Sequence, residues 1–165
     1  MSEPTNPTDS EFPSARLRAA AQRAQPLAYH GSGTAESEVT AIERLLGITI
    51  GGSLRKYLVE FGWMHVGSNV FLGIGPQQPA EQCDLVSDSR FLSRHGRPYV
   101  AILGDGGEFV YAFPVGPDGT VVDRIVVLPL HGGEEDEGWP EGLTFGQYVS
   151  SLIDEAEARE RGMGA

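Results

Sequence analysis

Four successive carboxylates, Glu134-Glu135-Asp136-Glu137, stand between Gly132-Gly133 and Gly138, with Trp139 directly after. Adjacent like charges repel, so the run belongs on a solvated loop that the flanking glycines let spread. Such a loop either stays merely solvated or receives a partner, with Trp139 as the kind of aromatic anchor that dominates interface energetics. Oxygen ligands suit calcium, but the run lacks the alternating spacing of an EF-hand loop. We expect no metal and no cofactor.

Catalysis needs a convergent nucleophile, base and orienting group, or a metal with about three suitable ligands. His30, His65, His95 and His131 are scattered over segment ends, none in a His-x-Glu or His-Glu-x-x-His arrangement. Ser32 in Gly31-Ser32-Gly33 lacks the spacing of a nucleophile elbow. Gly104-x-Gly106-Gly107 joins strand to strand, where a phosphate cradle would join strand to helix. Cys83 is the single cysteine, which excludes an internal disulfide. A non-enzymatic protein is the expectation; a small hydrolase with an acidic and histidine-containing pocket around Asp105 or His131 is the alternative.

Charge points the same way. The chain of 165 residues carries 23 acids against 12 Lys plus Arg, a formal charge of -11. Residues 1–35 are balanced, with three acids and three arginines, so the imbalance of 20 acids against nine bases belongs to the rest. A field of that sign repels nucleic acid and anionic lipid and steers basic partners inward. Solubility alone is the plainer use of such a charge. The chain has no run near the ~20 apolar residues of a membrane span, and Met1-Ser2-Glu3-Pro4 does not read as a secretory signal. A cytoplasmic protein is expected.

These groups need a scaffold. Residues 1–35 read as a flexible tail able to hold a short accessory helix from Ser14, ending in a flexible joint at His30–Thr34. The body spans residues 36–160. Val39, Ile42, Leu45 and Leu46 predict a first helix closed by Gly47, and Ser53 caps a second with Leu54, Tyr57, Leu58 and Phe61 inward. Residues 66–74 read as a strand, 84–94 as a helix, and 99–103 with 108–113 as a hairpin around Asp105-Gly106. A strand over 120–128 follows the Gly116–Gly119 turn. The last helix opens with the capping box Thr144-x-x-Gln147 and carries Phe145, Tyr148, Val149, Leu152, Ile153 and Ala156 at helical spacing. The fold class is therefore α+β: an antiparallel β-meander with helices packed on one face, in a single domain. Asp105 makes the hairpin turn, Glu108 adds to a negative surface, Trp63 closes the second helix as core or interface, and Tyr111 with Phe113 face the core.

Several of these residues in this order resemble the SUKH superfamily, shared by a fungal cell-wall-synthesis regulator and many bacterial immunity proteins. The carriers are Glu38-x-x-x-Ile42-Glu43-x-x-Leu46-Gly47, Leu54-Arg55-x-Tyr57-Leu58-x-x-Phe61-Gly62, Asp105-Gly106-Gly107-Glu108-Phe109, Gly119-x-Val121, and Thr144-Phe145-x-x-Tyr148-Val149-x-x-Leu152. Thr49-Ile50 stands where the family usually has Leu-Pro. The resemblance implies a cytoplasmic immunity protein, or a general protein-interaction module, that binds a protein partner. For an immunity protein the partner would be a toxin, commonly a nuclease or deaminase. Toxins acting on nucleic acid carry a basic site that an acidic inhibitor can occupy. The expected partner-binding residues are Glu134, Glu135, Asp136, Glu137, Trp139, Asp105, Glu108 and Trp63, with no direct contact to nucleic acid or membrane.

Overall fold

The computed structural model describes residues 11–74, Leu85, Ser89, 98–104, 108–129 and 142–163. Helix α1 (Ser14–Ala21) leads into strand β1 (Ala28–His30), then helices α2 (Glu36–Leu46) and α3 (Gly52–Glu60). Strands β2 (Met64–Val66), β3 (Asn69–Phe71), β4 (Tyr99–Gly104), β5 (Phe109–Pro114) and β6 (Val126–Pro129) follow, before helix α4 (Phe145–Met163). The six strands pair antiparallel in chain order, β1-β2-β3-β4-β5-β6. This is the α+β meander that the hydrophobic pattern predicts. No helix among the described residues is long and apolar enough to cross a membrane.

Phe145 sits at the centre of the core. Its ring lies 5.2 Å from Phe12, 5.4 Å from Tyr57, 5.3 Å from Phe113 and 6.0 Å from Phe71, so one side chain ties α1, α3 and the sheet to α4. Each such pair adds about 0.5–1.5 kcal/mol beyond the burial of its area. Tyr57 is fully buried and its hydroxyl donates to Leu72 O at 2.9 Å, which satisfies the one polar atom brought into this cluster. Burial pushes the Tyr57 phenol well above its ordinary pKa.

Helix ends follow the residue chemistry with one change. Gly47 closes α2 in the left-handed region at φ 67, where L side chains are strained. Val39 and Ile42 are buried as expected, whereas Leu45 is 55% exposed because it falls off their stripe. Helix α3 begins one residue before Ser53, and Ser53 Oγ donates to Asp123 Oδ2 at 3.3 Å instead of capping. The box at α4 forms reciprocally: Thr144 N–H donates to Gln147 Oε1 at 3.1 Å and Gln147 N–H to Thr144 Oγ1 at 3.2 Å. Asp123 Oδ1 accepts the Phe145 N–H at 2.9 Å, satisfying a further orphan donor of that first turn.

Three segments differ from their sequence reading. Residues 66–74 are not one strand: Gly67 takes φ 59 and makes the Gly67-Ser68 turn of the β2–β3 hairpin. The strand predicted from Thr120 begins at Val126, because Asp123 leaves the ladder to hold α3 and α4, while Thr120 and Val121 make only isolated bridges. The third is the N-terminal region. Phe12 is 3% exposed and Leu17 fully buried, and Ala28–His30 is an edge strand, so residues 12–35 belong to the domain and are not a flexible tail. The sequence hides this because α1 offers only Leu17 as a large apolar residue and β1 is three residues long. Of the helix predicted over 84–94, Leu85 and Ser89 are helical and buried, and Ser89 Oγ accepts the Ala101 N–H at 3.0 Å; the rest lies outside the described residues.

Arg55 fastens α3 to α2. Its Nη2 and Nε meet Glu36 Oε2 at 2.6 and 3.0 Å, and its Nη1 meets Glu43 Oε1 and Ile50 O, each at 3.0 Å. Glu43 Oε2 also accepts the Ile50 N–H at 2.8 Å. Partial burial acts to raise the Glu43 pKa, but the Ile50 and Arg55 bonds outweigh it and hold the carboxyl below its ordinary value. A depressed folded-state pKa stabilises above the unfolded value and is lost as pH falls through the folded one. Glu43→Gln is expected to lose about 1–2 kcal/mol at pH 7, and the gap to wild type should close as pH drops below 4.5. Melting curves from pH 7 to 3 check it; a gap independent of pH would refute it.

Candidate functional site

Positions 105 and 134–139, like His131, His95 and Cys83, lie outside the described residues. Glu108 is exposed at the entry to β5, beside Phe109, which is 39% exposed. Trp63 stands immediately before β2, which is three strands from β5 in the sheet order, so the structure does not gather Glu108 and Trp63 onto one strand pair.

Trp63 is half-buried and gripped by glycines. A Cβ at Gly31 would fall 2.5 Å from the indole Nε1, and one at Gly73 would fall 2.8 Å from Trp63 Cβ while colliding with Gly62 O. The indole also meets His65 edge to face, with centroids 5.5 Å apart. Trp63 Nε1 and His65 Nε2 are both shielded and without a hydrogen-bond partner. Leaving such a group unmet costs about 1–3 kcal/mol.

The arginines in and just after α1 form ion pairs that the sequence did not disclose. Arg16 pairs with Asp154 at 2.7 Å and Glu157 at 3.7 Å, Arg18 with Glu60 at 3.1 Å, and Arg23 with Glu160. Arg18 also lies 4.7 Å over the Phe61 ring. Exposed pairs contribute little to stability singly, yet they neutralise carboxylates of α3 and α4. A cleft of about 960 Å³ between α1, α3 and α4 has Arg16, Arg18 and Lys56 balanced by Glu11, Glu60 and Asp154, so its charge selects neither anion nor cation.

No family model and no curated protein matches this chain. What remains is the charge partition. Residues 130–141 carry five acids and no Lys or Arg, against 18 acids and 12 Lys plus Arg in the rest of the chain. Among the described residues no three His, Cys, Asp or Glu side chains are placed to hold a metal ion.

Proposed function

We propose that this chain is a SUKH-like immunity protein that binds and neutralises a basic, nucleic-acid-targeting protein toxin in the cytoplasm, without catalysing a reaction. The observation that carries the reading is the distribution of charge: Arg16, Arg18 and Arg23 pair with carboxylates, and the densest excess of acid along the sequence is the run Glu134, Glu135, Asp136 and Glu137. Concentrated charge of one sign steers a partner of the other and fixes its orientation more than a diffuse field of the same total. The α+β order supports the reading too, since the motif residues Glu43, Arg55, Gly47 and Gly62 occupy the helix joints where their chemistry is used. Trp139 is the proposed aromatic anchor beside the acids, with Asp105 and Glu108 extending the negative surface and Trp63 a separate contact.

The test begins with capture from the native source on the tagged protein, eluted by a salt gradient. The protein recovered in equal stoichiometry is then titrated against wild type and against the variant Glu134→Lys, Glu135→Lys, Asp136→Lys. The variant should bind about tenfold or more weakly and with a shallower salt dependence, while its melting temperature stays within about 2 °C of wild type. Unchanged affinity would remove the acidic run from the mechanism.

A further inference from the structure

Independently of the reading above, we infer that Asp118-Gly119 is a site of covalent modification, isomerisation of the aspartate through a succinimide, and that Thr120 holds the reaction back while the chain is folded. In this reaction the Gly119 amide nitrogen attacks the side-chain carbonyl carbon of Asp118. A new N–C bond forms, and the hydroxyl of the protonated carboxyl leaves with the amide proton as water. Water then opens the ring at the main-chain carbonyl, so the chain continues through the side-chain carbon as isoaspartate; one water is lost and one regained, and no oxidant or reductant is needed. Glycine is the successor that permits closure, because it has no Cβ to crowd the ring and its backbone is freest to turn. The chain has two such pairs, Asp105-Gly106 and Asp118-Gly119, and the second stands in an exposed turn whose bonds the structure shows.

Each group that the reaction needs is engaged in that turn. Gly119 N–H donates to Gly116 O at 2.9 Å, so the nucleophile must give up this bond before it loses its proton. Thr120 N–H donates to Asp118 Oδ1 at 3.0 Å and Thr120 Oγ1 donates to Asp118 Oδ2 at 3.1 Å, so both carboxylate oxygens are held. The same two bonds keep the carboxyl below its ordinary pKa, in the ionised form from which no water can leave. Gly116 N–H in turn donates to Thr120 O at 2.9 Å, which closes the loop around the pair. This turn also carries the joint between α2 and α3: Thr49 N–H donates to Gly119 O at 2.8 Å, and Val121 N–H donates to Thr49 O at 3.0 Å. Isoaspartate puts one more carbon into the main chain just before Gly119, which shifts Gly119 O relative to Thr49. The modification therefore accumulates while the turn is open, and once made it loosens the joint.

The test incubates the full chain at neutral pH, folded and in urea, and reads isoaspartate at 118 by fragmentation mass spectrometry of the tryptic peptide that ends at Arg124. Asp105-Gly106 lies in the same peptide and shows in the urea sample that the product is detected. Isoaspartate at 118 is expected about tenfold or more slowly in the folded chain than in urea, because the folded reaction must first break bonds to a charged group. Thr120→Val removes the hydroxyl bond and keeps the side-chain shape, and should raise the folded rate at 118 about threefold or more. Thr120→Ser, which keeps the hydroxyl, should stay near wild type. Equal rates at 118 in folded and urea-unfolded wild type, or in Thr120→Val and wild type, overturn the proposal. An equal rise at Asp105 and Asp118 in folded Thr120→Val overturns it too, since the effect then belongs to general unfolding and not to the turn.

Discussion

Phe12→Ala is expected to destabilise the protein by about 3–5 kcal/mol, the range for emptying a buried aromatic site. The Phe12 ring is 3% exposed and lies 5.8 Å from Tyr57, 5.8 Å from Phe61 and 5.2 Å from Phe145, so its removal leaves a cavity that three rigid rings cannot close. For a domain of ordinary stability, about 5–15 kcal/mol, that is about a fifth or more of the total. Urea unfolding of wild type and variant checks it. A change below about 0.5 kcal/mol is what an unattached tail would give, and would show that residues 12–21 do not support the fold.

Gly33→Ala should cost about 3 kcal/mol or more, from two additive causes. Gly33 has φ 102, a region closed to alanine, and a Cβ there would run into the Val59 carbonyl oxygen. Close approach is what lets Thr34 N–H donate to Leu58 O at 2.9 Å and pins the chain between β1 and α2 against the side of α3. Gly47→Ala is the internal comparison: its φ of 67 is strained for alanine but nothing lies within 4 Å of the added carbon, so its cost should be the smaller, about 1 kcal/mol. Equal losses at the two positions would mean that conformation alone, and not the contact with α3, decides the effect.

The elements legible in the sequence are those whose local signals agree. Helix α4 has a capping box, a continuous apolar stripe and the aromatic Phe145 that organises the core, and its start is where Thr144 and Gln147 place it. The β4–β5 pair has two apolar runs that flank Asp105-Gly106 in the sequence, and the two strands pair as expected. What was not legible depends on distance. His30–Thr34 reads as a flexible joint because glycines and serine dominate it, yet those glycines are there so that backbone can press on α3 and on Trp63. The end of the 120–128 strand that fails to pair does so because Asp123 is needed by Ser53 and Phe145, 70 and 22 positions away. The candidate residues divide similarly: a run of four acids announces itself, whereas Trp63 meets Gly31 only because β1 pairs with β2.

The clasp of α1 on α4 also sets the timetable of synthesis. Arg16 and Asp154 are 138 positions apart, and at about 5–20 residues per second the ribosome needs on the order of ten seconds to deliver the second after the first. Throughout that interval α2, α3 and the central hairpins can form their local contacts, but Phe12 has no Phe145 to close over it. Long-range closure of this kind slows the final step of folding. The nascent chain therefore carries Phe12, Arg16 and Arg23 without their partners on α4 until residues 145–160 have been made.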